Sequence, residues 1–231
     1  MSIKPILFNT DMVRGLLADR KTATRRVVKP RFRDSVFEIF QGQLCEASPD
    51  KPPRDNGDGT KTHFVRAYVP CKAPYRPGDI LYVRETWCKY GELDAAEHII
   101  PETEKYYYRA DGENPTPFNC FLVQHPGWDE YREVPVWHPS IHMPREAARI
   151  FLRVTDVRVE RLQAMSHEDA EQEGCWCGEG GLAMPLDKFA DVWDSTIKPA
   201  DCAIYGWAAN PWVWVIEFER VSREEAAMGN A

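Results

Sequence analysis

The sequence predicts a mainly β fold with helices packed on it, an α+β class built as a small β-barrel, in one domain covering 1–231. Three observations predict it. Segments with two-residue apolar alternation outnumber windows with helical spacing. The first strand-like segment, 3–8, and the last, 211–221, lie at opposite ends of the chain, with irregular stretches between. The composition, 43% hydrophobic and 28% charged over 231 residues, is that of a globular protein with a sizeable core. It excludes collagen-like, coiled-coil and fully disordered classes. No apolar run is long enough for a membrane span, and no signal peptide is read at the N-terminus.

Taken in order, IKPILF (3–8) is apolar and extended, and Pro5 places it at a sheet edge or strand start. Thr10 is the expected N-cap of a helix whose face is Val13, Leu16 and Leu17, ending near Asp19–Lys21. RKTATRRVVKP then reads as a turn into a strand that stops at Pro30. Residues 41–77, rich in Pro, Gly and Asp, predict a long loop or small subdomain. After the Gly78–Asp79 turn, ILYVRETW alternates as a strand. Residues 91–140 are irregular apart from a strand at Lys105–Arg109, in which either Tyr107 or the pair Tyr106 and Tyr108 faces inward.

Residues 148–163 alternate as one long strand with a bulge near Asp156. Ser166 caps a short helix, HEDAEQE, closed by Gly174. LDKFADVWDSTI (186–197) is an amphipathic helix with Phe189, Val192 and Trp193 on one side. PWVWVIEFERV (211–221) is nearly continuous in apolar residues, so a central strand buried on both faces, and the tail EEAAMGNA is expected to fray. Two insertions, about 31–76 and 90–140, elaborate the core.

Charge is distributed unevenly. Residues 1–33 hold nine Lys/Arg against two Asp, net +7, while residues 34–231 hold 20 against 34, net −14. A basic N-terminal patch on an acidic body points to a local anionic partner, or else to a solvated face. Seven scattered cysteines with no framework spacing read as free thiols of a cytoplasmic protein. Cys175–Trp–Cys177 and His138–Pro–Ser–Ile–His142 offer four soft ligands. Their spacing is not that of a zinc site, so no metal or cofactor is expected. The oligomeric state is not legible.

The densest candidate site is Arg20–Lys21–Thr22–Ala23–Thr24–Arg25–Arg26 at a helix end. Crowded cations lower one another's pKa, and a desolvated lysine can serve as a general base. Thr24 lies three residues on, within reach of Lys21 if the turn is tight, and a hydroxyl beside a neutral lysine can act as a nucleophile. The plainer alternative is a solvated basic turn. The loop Met143–Pro144–Arg145 is a candidate neighbour of the pocket. Arg84–Glu85 offers an ion pair, and Trp87 either stacks on a base or rims the core.

DRKTATRR, following an apolar helix and an N-terminal strand, resembles the defining motif of the ASCH domain family, Gly-x-Lys-x-x-Glu-x-Arg. Lys21 and Arg26 match; Asp19 stands where Gly is usual and Thr24 where Glu is usual. One branch reads Gly-Arg-Lys-Thr-x-Thr here and comprises small bacterial amidohydrolases that deacylate N4-acetylcytidine. In that branch the lysine is the base, the second threonine the nucleophile and a distant glutamate the proton donor. That glutamate lies in a His-Ala-Glu-Gln-Glu stretch, similar to Asp169–Ala170–Glu171–Gln172–Glu173. PGDILYVRE and WVIEFERV resemble two family strands, and the remainder resembles longer ASCH proteins carried by phages and prophages.

The resemblance implies a PUA-like small β-barrel with flanking helices, with Lys21, Thr24 and Glu173 carrying the chemistry. Arg20, Arg25, Arg26, Arg84 and Trp87 are then expected to bind substrate. The implied partner is a nucleoside or RNA ligand, with no membrane. The implied function is recognition of a nucleoside or RNA base, extending to hydrolysis of an N4-acylcytidine-like amide; a non-catalytic RNA-binding module or a ribonuclease is the alternative.

Overall fold

The computed structural model describes residues 3–32, 35–49, 51–63, 66–91, 100–112, 120–123, 132–176 and 184–228. In chain order the elements are β1 (Ile3–Leu7), α1 (Thr10–Leu17), β2 (Ala23–Val27), β3 (Val36–Phe40), β4 (Gln43–Ala47), β5 (Arg54–Asp55), β6 (Lys61–Thr62), β7 (Tyr68–Pro70), β8 (Ile80–Arg84) and β9 (Trp87–Tyr90). They continue with β10 (Lys105–Tyr108), β11 (Cys120–Val123), β12 (Arg132–Pro135), β13 (Phe151–Arg161), α2 (His167–Gln172), α3 (Pro185–Thr196), α4 (Cys202–Tyr205), β14 (Trp212–Val221) and α5 (Arg223–Met228). The class is mixed α/β with sheet predominant.

The principal sheet has the order β1–β8–β13–β14–β2. β1 runs parallel to β8, and the other pairs are antiparallel. Pro5 sits in β1 at the sheet edge, where its missing N–H costs no ladder bond. β14 is central because its alternate residues bury on opposite faces. Val213 and Val215 enter one cluster with Phe189 and Trp193 of α3; Ile216 and Phe218 enter another with Val13 and Leu16 of α1. A third cluster gathers Ile80, Met143, Phe151 and Ala226.

The two edge strands approach one another. Nη2 of Arg26 on β2 donates to the carbonyl of Leu7 on β1 at 2.9 Å. In a flat five-stranded sheet those edges would lie about 19 Å apart. The sheet is therefore strongly curved. Among the described residues its backbone ladders do not close into a ring, and a side-chain bond joins the two edges.

Several elements differ from expectation. Asn9, not Thr10, caps α1, its side chain accepting from Met12 N–H at 2.9 Å. The helix stops at Leu17, before Asp19–Lys21. ILYVRETW does not run as one strand. It breaks at Glu85–Thr86, where the Glu85 N–H turns to Met143 Sδ and its buried carboxylate pairs with Arg149 at 3.0 Å. Of the two alternatives for the Pro- and Gly-rich stretch, the structure has the small subdomain: residues 36–70 contain a three-stranded sheet, β3–β4–β7, and a small β5–β6 ribbon. The C-terminal segment is helical through Met228, held by burial of Ala226, so the expected fraying does not occur there. The predicted register shift on β13 falls between Val154 and Asp156. Tyr106 and Tyr108 pack on the third cluster, while Tyr107 meets Tyr90 edge-on.

Among the described residues no helix is long and apolar enough to cross a membrane. Cys45, Cys71, Cys88 and Cys202 are free thiols.

Candidate functional site

Lys21 reaches its position through a tight reversal. Asp19 adopts φ 51°, and the Arg20 and Lys21 N–H groups both return to Gly15 O, at 2.9 and 3.2 Å. This left-handed position is one that Gly fills most easily and that short polar Asp tolerates. The other half of the site arrives on α2. Ser166 and Asp169 form a reciprocal capping box, and the helix ends at Glu173 followed by Gly174 at φ 91°. Thr22 N–H donates to Gln172 O at 2.8 Å, so the start of β2 is pinned to the end of α2. A Cβ on Gly15 would lie 3.3 Å from Lys21 Cβ, so this glycine makes room for the lysine, whereas at Gly174 the corresponding 3.6 Å is an ordinary contact.

Lys21, Thr24, Arg25 and Glu173 are 3%, 1%, 2% and 7% exposed. The Lys21 Nζ donates to Glu173 Oε2 at 2.7 Å, and to Glu173 O and Ala23 O at 2.9 Å each. Three donors thus meet three oxygens, and the Thr24 hydroxyl is not among them. The ammonium nevertheless sits against the carbonyl bonded to the Thr24 nitrogen. Burial pushes the Lys21 pKa down, the Glu173 carboxylate opposes this, and the net direction is down. Arg25, also on β2, has three carboxylate partners. It meets Glu160 at 2.8 Å, Asp169 at 3.2 Å and Glu173 at 3.4 Å.

Beside this cluster is a cavity of about 230 Å³. Its polar wall is Thr24, Arg25 and Arg26 of β2 with Glu173 and Asn9; its apolar wall is Leu7, Met12, and Phe189, Val192 and Trp193 of α3. It contains residues of β2 and none of β14, so it lies off the free edge of β2. Thr22 O accepts from Phe218 N–H and Val28 N–H donates to Trp212 O. Even-numbered residues of β2 therefore bond toward β14, and the N–H and C=O of Arg25 and Val27 face the free edge.

The remaining predicted residues divide. Arg26 lines the cavity and lies 5.5 Å from the Phe8 ring centre; burial lowers its pKa. Arg20 is exposed on the turn and is not part of the lining. Arg84 does not pair with Glu85; its guanidinium turns to Ile141 O, away from the cavity. Trp87 belongs to the core rim, against Tyr106 and His138. Met143 is buried beneath Glu85 rather than beside the cavity. Of the soft-ligand group, Cys175 lies in the core under α3 and His138 against Trp87, while Cys177 lies outside the described residues. Among the described residues no three metal-binding side chains gather.

Sequence reasoning missed Glu160 and Asp169 as partners of Arg25, and the α3 wall as part of a cavity. The periodicity of 186–197 marks Phe189 and Trp193 as packing residues, and nothing in that spacing distinguishes a core face from a cavity wall. The basic N-terminal patch is answered in part within the chain: Lys4 pairs with Asp79, Lys21 with Glu173, and Arg25 with three acids. In comparisons with known proteins, no family model, no curated protein and no solved structure matches this chain.

Proposed function

We propose that the chain is an ASCH-type protein of the PUA-like superfamily that takes a nucleobase into the β2-edge cavity and hydrolyses an N4-acylcytidine-type amide there. One observation carries the reading. Lys21 and Glu173, 152 residues apart, form a buried pair beside a cavity whose wall includes Thr24. The cavity is a little below the about 300–1,000 Å³ of small-molecule sites, which suits a planar base with its sugar outside. The outward N–H and C=O of Arg25 offer a donor and an acceptor to the edge of such a base.

The chemistry follows from the pair. Passage of a proton from Lys21 to Glu173 leaves a neutral amine and a neutral acid without changing net charge. The amine takes the Thr24 proton as the hydroxyl oxygen adds to the acyl carbon. Glu173 protonates the exocyclic nitrogen as the C–N bond breaks, releasing the amino nucleoside. Water then cleaves the Thr24 ester. Arg26, at the cavity wall, holds the oxyanion.

The test is turnover of N4-acetylcytidine by purified protein, followed by chromatography. Wild type is expected to release cytidine, and Thr24→Ala to lose at least about 100-fold in rate. Turnover by Thr24→Ala equal to wild type, or none by a folded wild type, removes the hydrolase reading. A non-catalytic RNA-binding module is the second reading, and the full commitment of the three Lys21 donors favours it. Cytidine binding without turnover would select it.

A further inference from the structure

A second cleft, of about 370 Å³, adjoins the first, and Arg26 lines both. Its walls carry Lys29, Arg31 and Lys72 together with the rings of Tyr75 and Trp214. The three cations are exposed and make no salt bridge among the described residues, in contrast to Lys4, Lys21 and Arg25. One acid lines the cleft, Glu46, and it is already committed. Its Oε1 accepts from Arg31 N–H at 2.8 Å, Phe32 N–H at 2.7 Å and the Ser35 hydroxyl. The acid therefore organises the loop that carries Arg31 and also interacts with the Arg31 charge, and the cleft still holds four cations, Arg26, Lys29, Arg31 and Lys72, against this one carboxylate. The chain as a whole carries −7, so a concave, cationic, ring-lined surface is not a product of composition.

We propose that this cleft is a phosphate subsite: the ligand is a phosphorylated nucleoside, its base in the first cavity and its phosphate held by Lys29, Arg31 and Lys72. The inference rests on the base-binding reading of the first cavity and names its substrate class. Arg31 supplies a bidentate fork, the lysines supply point charges, and Arg26 lies between base and phosphate. The phosphate comes from a mononucleotide or from an RNA strand, and the two sources separate in the test.

The experiment is calorimetric titration of the full chain with cytidine, cytidine 5′-monophosphate and a hexacytidylate RNA, at about 50 and 200 mM salt. The monophosphate is expected to bind about tenfold tighter than cytidine at low salt, the worth of one charge-assisted contact. In Lys29→Ala/Lys72→Ala that ratio should fall toward one, and in Lys29→Arg/Lys72→Arg it should persist. Hexacytidylate binding far tighter than the monophosphate, with a steep salt dependence, supports the proposal with a strand as source; equal affinities support it with a nucleotide as source. A ratio of one in wild type, a ratio that survives the double alanine variant, or no binding of the monophosphate overturns it. Failure of the hydrolase reading is distinguishable. Absent turnover with a Lys29/Lys72-dependent ratio leaves the phosphate subsite standing, and turnover with a ratio of one does the reverse.

Discussion

A lysine with no exposed side-chain surface, bound to a carboxylate that is 4% exposed, governs the site at the scale of single residues. The spacing Lys-x-x-Thr is legible in the sequence; the burial is not, because it depends on Glu173 arriving from 152 residues away. An exposed basic turn would let Lys21 be truncated at little cost, whereas this one does not. Removing one member of a buried pair costs up to about 3–5 kcal/mol, and here Glu173 would keep only its 3.4 Å contact with Arg25. Lys21→Met should therefore lower the unfolding free energy by that amount in urea denaturation. Lys21→Met/Glu173→Leu should recover much of the loss, since Arg25 retains Glu160 and Asp169. A double variant as unstable as the sum of its singles would show that the pair contributes nothing as a pair. For this reason Thr24, not Lys21, is the residue on which activity is tested.

At the scale of elements, the site exists because α1 and α2 both end beside the start of β2. The α2 terminus depends on Gly174, whose φ of 91° an L side chain rarely adopts. Gly174→Ala is expected to cost about 1–2 kcal/mol in chemical denaturation. Its Cβ would lie 3.6 Å from Lys21 Cβ, an ordinary packing contact, so the cost comes from the backbone conformation rather than from crowding of the lysine. Gly174→Asn should cost less, as Asn tolerates such conformations better; an alanine variant of wild-type stability would contradict this account. Elements governed by local pattern were legible: the Ser166-capped helix, the bulged β13 and the doubly buried β14 follow from caps, alternation and apolar runs. The break between β8 and β9 was not, because long-range contacts of Glu85 with Met143 and Arg149 interrupt a sequence that alternates without pause. The strands within 36–70 were hidden for a similar reason: Pro- and Gly-rich connections dominate the composition of a segment whose short strands pair only with one another.

At the scale of the whole molecule, an N-terminal +7 on a −14 body reads in sequence as an invitation to an anionic ligand. Part of it is instead satisfied by folding, and that has a consequence in acid. Burial raises the Asp169 pKa, but the Ser166 N–H and the Arg25 guanidinium outweigh it, and the net direction is down. Glu46 behaves alike: burial is outweighed by the Ser35 hydroxyl and by the Phe32 and Arg31 N–H groups. A carboxyl with a depressed folded-state pKa binds protons less readily folded than unfolded. Its stabilisation is full above the ordinary values of 3.8 for Asp and 4.5 for Glu, and is lost as pH falls through the depressed values. These two groups should therefore make stability fall as pH drops below about 4, while Glu85, whose pKa burial raises, acts in the opposite sense at higher pH. Asp169→Asn removes one of these titrating groups. It should be less stable than wild type at pH 7, where the Arg25 and Ser166 contacts are weakened, and the gap should narrow as pH falls from 4 toward 2. Thermal unfolding midpoints of the two proteins across that range check the claim, and a gap that stays constant or widens in acid would show that Asp169 does not couple folding to protonation.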